Sequence, residues 1–183
     1  MDLMLLRTFQ RQVATQCKYL LFAAQEANVS MQQHNVERIF YALQNILNAG
    51  ANISKALWGQ GGKLTAERKP LRDSIGISDD SPLREVTMRN NFEHFDERLD
   101  RWWKESTRHN HADHFIGPKD RMIVGIEAID MFRMFDPQTK DLTFWGQEFN
   151  LQRLIDEIQL ILPKLEAEAD KPHYDPSKIA PRA

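Results

Sequence analysis

Cysteine is nearly absent from this chain: Cys17 stands alone among 183 residues. An internal disulfide is excluded, as are C-x-x-C redox and zinc motifs. Cys17 falls on the apolar stripe of an expected helix, which reads as a small buried side chain. Long apolar runs are missing too, and every stretch falls short of the roughly 20 residues that a membrane span needs. The opening residues, MDLMLLRTFQRQ, lack the basic start and apolar core of a secretion signal, so the expected location is cytoplasmic, with no membrane partner. No sign of charge dominates. Lys and Arg number 24 against 26 Asp and Glu, for a formal net charge of −2. No global field draws the chain to nucleic acid, and an RNA role requires a local site. There is no internal repeat. Gly59-Gln60-Gly61-Gly62 has no Lys-Ser/Thr at the spacing of a phosphate loop and no preceding strand, so it reads as a helix stop.

What is present is ordinary globular material, 42% hydrophobic and 27% charged. The length suits one domain, expected over 1–170, with a flexible Pro-rich tail at 171–183. Leu5, Phe9, Val13, Cys17, Leu20 and Ala24 recur every three or four positions and predict a helix over 2–27. Ser30 is the expected N-cap of a second helix, 31–58, which Gly50 weakens and bends. Such a pair reads as an antiparallel α-hairpin. A short helix is predicted over 65–75, ending at Gly76. Ser78-Asp79-Asp80-Ser81-Pro82 reads as a helix start, opening one long helix to about residue 106. Residues 107–119 read as a loop. Met122–Phe135, the turn Asp136–Lys140 and Leu142–Trp145 predict a β-hairpin. A final amphipathic helix, 149–169, carries Pro163 inside its pattern and is expected to kink or break there. The fold class is therefore mainly α, an antiparallel up-and-down helical bundle with a small β-hairpin insertion around 120–148.

On a wheel at about 100° per residue, Met88, Phe92, Phe95, Leu99 and Trp102 share one arc, expected to face the core. Asn90, His94, Glu97 and Arg101 lie nearly opposite, and Leu83 and Val86 continue that second stripe. An apolar end followed by Asn, His and Arg has the character of a dimer seam holding a polar site. The plain alternative is a solvated face with i,i+4 pairs.

Arg89-Asn90-Asn91-Phe92-Glu93-His94 reads R-N-x-x-x-H. It resembles the R-x4–6-H signature of HEPN domains, many of which carry Asn, Asp or His directly after the arginine, as Asn90 does here. The resemblance implies a helical bundle that dimerises and, in many members, a shared cleft that cuts RNA without metal or other cofactor. On that reading Arg89 and His94 are catalytic and Asn90 supports them. A histidine exchanges protons near neutral pH, and an arginine clamps phosphate by paired hydrogen bonds. On an ideal helix Arg89 and His94 project about 140° apart. A C2 homodimer with this helix near its axis would bring groups from both chains together, with Leu83 and Val86 as its apolar part. The resemblance also implies toxin, defence or stress roles, with an antitoxin or nucleotidyltransferase as partner. The tyrosine that such a transferase modifies in some members corresponds to Asp96 here, so that form of regulation lacks its acceptor. Glu93, Asp96 and Glu97 crowd the histidine with negative charge. Members without nuclease activity exist, and the alternative is a non-catalytic interaction domain with a structural Arg/Asn/His network.

Two other constellations stand apart. His109, His111 and His114, with Asp113, form a compact run in which zinc and a plain polar loop are competing readings. Trp102, Trp103 and Trp145 suit base stacking or, more simply, packing. Arg7, Arg11 and Lys18 read as solvated surface.

Overall fold

A computed structural model describes residues 1–118 and 125–174. Helix α1, Leu3–Gln32, is capped by Asp2, whose carboxylate accepts from the Met4 and Leu5 amides. It runs past the predicted end at 27. Ser30 is not an N-cap: it lies inside α1, fully buried, and donates to Glu26 Oε1 at 3.3 Å. The cap of α2, Val36–Trp58, is Asn35, which accepts from the Arg38 amide. The two helices form the expected hairpin. Helix α2 continues through Gly50, where the missing side chain permits close approach. A Cβ there would stand 3.0 Å from Leu154 Cδ2 and 3.4 Å from Val86 Cγ1.

Gly59–Gly62 stops α2 as expected. Helix α3, Lys69–Ile75, starts later than predicted and ends at the left-handed Gly76 (φ 77°). Helix α6, Leu151–Ala169, is capped by Asn150 and remains one helix despite Pro163. Pro163 and Gln159 are both exposed, so the carbonyl that loses its intrahelical donor faces water. The end of α6 meets the start of α1 through Arg7 and Glu168 (3.0 Å), so α6 runs antiparallel to α1. Arg7 is thus not solvated surface. It is 9% exposed and heads a buried chain in which its Nη1 donates to Gln10 Oε1, Gln10 Nε2 to Ser74 Oγ, and Ser74 Oγ to the Leu71 carbonyl. Leu20, Leu43, Leu47, Leu154 and Ile158 fill the space between α1, α2 and α6, and Cys17 is fully buried among them.

The predicted single helix from 82 to 106 does not exist. Residues 77–88 are irregular, followed by α4, Arg89–Glu93, and α5, Phe95–Glu105, with a break at His94 (φ −100°, ψ 44°). Two physical reasons account for this. The side chains that would cap a helix are drawn largely into other bonds: Asp79 accepts from Trp58 Nε1 at 3.0 Å and pairs with Arg72, Asp80 accepts from Ser78, and Ser81 donates to Glu157 at 2.8 Å while accepting from the Leu83 amide only at 3.3 Å. In addition, Leu83 and Val86 lie opposite Met88 and Phe92 on a helical wheel, yet all four are buried. One helix resting on a core buries one stripe; the chain leaves the helix and buries both.

In place of a lone hairpin there is a four-stranded sheet in the order β1 (Phe115–Ile116), β2 (Met134–Phe135), β3 (Asp141–Phe144), β4 (Gln147–Asn150). Strand β1 is parallel to β2, and the other pairs are antiparallel. The predicted turn at 136–140 joins β2 to β3, with Asp136 accepting from the Gln138 amide at 2.8 Å. The second hairpin turns on Trp145 (φ 50°) and Gly146 (φ 77°), both left-handed as a tight two-residue turn demands. Residue 119 of the predicted loop, 120–124 of the predicted insertion and 175–183 of the predicted tail lie outside the described residues. Phe132, Leu142 and Phe144 close the sheet onto the helical core. No helix among the described residues is long and apolar enough to cross a membrane.

Candidate functional site around Arg89 and Asn90

Short as it is, α4 is held from three sides. Phe92 is buried, with its ring 6.4 Å from that of Phe144 and 5.9 Å from the Arg133 guanidinium. Asn91 donates to Gln147 Oε1 of β4 and accepts from Arg98 Nε of α5 at 3.0 Å. Met88 is buried just before it. This anchoring leaves Arg89 and Asn90 on the wall of an open cleft of about 500 Å³ between the end of α2 and the irregular segment. Ser54, Lys55 and the Gly59–Gly62 loop form the opposite wall, with Arg84 and Glu85 alongside. Three cations, Lys55, Arg84 and Arg89, therefore line the cleft with one carboxylate, Glu85, and Glu93 pairs with Arg89 from beside it. In sequence Gly59–Gly62 reads only as a helix stop. Its second role, as the wall of a basic cleft, has no linear signal, because Lys55 and Arg84 come from separate elements.

The predicted trio is only partly gathered. Arg89 pairs with Glu93 across one turn, its side chain 17% exposed and its Nε buried without a partner. His94 does not line this cleft. It sits at the helix break, half exposed, with Nδ1 3.7 Å from Glu97 Oε1. Because the helix is broken there, the ideal-helix projection of Arg89 and His94 does not apply. The expected seam loses its apolar part, since Leu83 and Val86 are 0% and 6% exposed within the chain's own core. The wheel's core arc is corrected as well: Phe95 is 59% and Leu99 37% exposed.

The histidine run is drawn apart by aromatic partners. His109 Nε2 lies 2.9 Å from the Trp103 carbonyl oxygen, His111 packs on Trp102 and Phe132, and His114 meets Phe40 edge-on at 4.6 Å. Among the described residues no group of three His, Cys, Asp or Glu side chains converges on a metal position. Beside this run sits Asp130, a residue the sequence reading did not single out. It is fully buried and accepts from Trp102 Nε1 at 2.9 Å and Ser106 Oγ at 2.6 Å. Burial pushes its carboxyl up, but those two hydrogen bonds and nearby His109 outweigh burial and hold it below the usual range. Trp102 is thus a packing and bonding element, whereas Trp103 is 65% exposed.

The chain matches no protein-family model, no curated protein and no solved structure.

Proposed function

We propose that the protein is a HEPN-like, metal-independent endoribonuclease that acts as a homodimer, with Arg89, Asn90 and His94 at its site. One observation carries the reading: the first two residues of the R-N-x-x-x-H pattern line an open cleft rich in cations. A cleft of that charge attracts a phosphodiester, and Arg89 is the group suited to clamp it. His94 takes the proton from the ribose 2′-hydroxyl. The 2′-oxygen then forms a bond to phosphorus, the bond from phosphorus to the 5′-oxygen breaks, and water protonates the leaving oxygen. The products are a 2′,3′-cyclic phosphate and a 5′-hydroxyl. Arg89 stabilises the charge that builds on the phosphoryl oxygens. Glu93 competes with phosphate for Arg89 and restrains the activity. An enzyme of this kind fits a toxin, defence or stress system with an antitoxin-like partner.

The test is incubation of the purified protein with mixed RNA in EDTA. Cyclic-phosphate ends are expected, abolished in His94→Ala and Arg89→Ala and increased in Glu93→Gln. Cleavage that persists unchanged in His94→Ala sinks the mechanism. A second reading, a non-catalytic interaction domain, draws support from the same ion pair, because a guanidinium already paired with Glu93 and largely buried serves as a structural link. It predicts that Arg89→Ala lowers stability by about 2 kcal/mol with no activity to lose, whereas the nuclease reading predicts a normal melt and lost cleavage.

A further inference from the structure

From Ile39 to Ser54 the chain contains no Asp, Glu, Lys or Arg. The inner side of this stretch of α2 faces the core, but its outer side is uncovered: Tyr41 is 66% exposed, and Asn52 is exposed. Across a groove of about 580 Å³ lie Tyr19 and Phe22 of α1, 55% and 64% exposed. A solvated helix face ordinarily carries charge there; this one carries rings and carboxamides. The cations of α1 are directed elsewhere, Arg7 to Glu168, Arg11 to the Ala169 carbonyl and Lys18 to Glu166, all on α6. The groove's two charged residues, Glu26 and Arg38, neutralise each other at 2.6 Å.

We propose that this groove between α1 and α2 is the contact surface of a C2 homodimer. A second copy covers Tyr19, Phe22 and Tyr41 and sets its own Asn45, Asn48 and Asn52 against these. Charge and hydrogen bonding select a second copy. An isologous contact sets a surface against itself, so any net charge on it would be repelled; here there is none. A carboxamide both donates and accepts, so it pairs with its own kind. Nucleic acid would require cations on this face, and it has only the already paired Arg38. The groove spans Arg38–Asn52 of α2, about 22 Å of helix, and two adjacent helices present a strip about 20 Å wide. That is roughly 450 Å² per protomer, or about 900 Å² in total, the size of a weak, reversible contact. The proposed nuclease calls for a dimer, but this interface stands on its own observations.

Light scattering of the full chain at tens of micromolar should give twice the 21.4 kDa of one chain. Tyr41→Arg and Phe22→Arg, both at exposed positions of the groove, should each give the single-chain mass with an unchanged helical circular dichroism spectrum. A short bismaleimide should cross-link Asn45→Cys into dimers and leave a Leu160→Cys control, exposed on α6, uncross-linked; buried Cys17 stays silent in both. A monomeric wild type, a dimer untouched by Tyr41→Arg, or equal cross-linking from Leu160→Cys overturns the proposal. A wild-type dimer that follows the variant pattern yet leaves RNA intact supports the interface and sinks only the nuclease reading.

Discussion

Two segments of this protein both read as long helices from their apolar spacing and fold differently. Residues 36–58 form one helix; residues 83–106 form an irregular stretch, five helical residues, a break and an eleven-residue helix. In the first segment the strongly apolar side chains share a single stripe, so one helix satisfies them all. In the second, Leu83 and Val86 compete with Met88 and Phe92 for the same core from opposite sides, and α5 beyond the break buries none of its residues. Periodicity predicts a helix where one apolar stripe suffices. It fails where two stripes must both be buried.

The sharpest way to break this comparison is to make the same truncation in both segments. Leu47→Ala in α2 removes a fully buried side chain and should cost about 3 kcal/mol. Leu99→Ala in α5, at 37% exposure, should cost less than about 0.5 kcal/mol. Chemical denaturation compares the two, and equal losses would mean that α5 packs as tightly as α2.

Next in size is Gly50→Val. The added methyls would press on Leu154 and Val86, where helix and irregular segment meet, and overpacking of this kind costs about 1–3 kcal/mol. Thermal melts of Gly50→Val beside Gly50→Ala should show the larger side chain as the worse of the two.

A smaller effect is expected with pH at the sheet edge. Burial pushes the Asp113 carboxyl up, but bonds to the Arg133 side chain and amide and the guanidinium charge more than offset this and hold it below its usual range. A depressed carboxyl stabilises the fold fully above its unfolded value, and that contribution is lost as pH falls through the lower folded value. His114 is also held down, by burial above all and by Arg133. It therefore resists protonation in the fold, and stability begins to fall below its usual value near 6.5. Melting temperature should decline from about pH 6.5 downward, with the lower part of the decline, which Asp79, Asp130 and Glu168 share, shallower in Asp113→Asn.

The least visible outcome concerns Cys17, whose thiol burial pushes up to about 12. A thiol reagent at pH 8 should find no reactive cysteine in the native protein and one after unfolding.

Several features were legible in the residues alone, because each depends on near neighbours. The α1–α2 hairpin, the stop at Gly59, the helix end at Gly76, the buried Cys17 and the turn at Asp136 all follow from local conformational preference and one-sided apolar spacing. The R-N-x-x-x-H pattern was visible too, and the structure supplied the walls of the cleft that Arg89 and Asn90 line. What only the tertiary structure decided was the use of polar groups over long distances. Ser78–Ser81 read as a cap, yet Asp79 was taken by Trp58 and Arg72, and Ser81 by Glu157. Arg7 read as surface, yet Glu168 and Gln10 claimed it. Lys55 and Arg84 became neighbours of Arg89 because the chain left its helix before residue 89. A sequence displays the donors, acceptors and apolar groups that each element offers. Which of them meet depends on the whole core finding an arrangement that leaves few polar groups unpaired and little apolar surface in water.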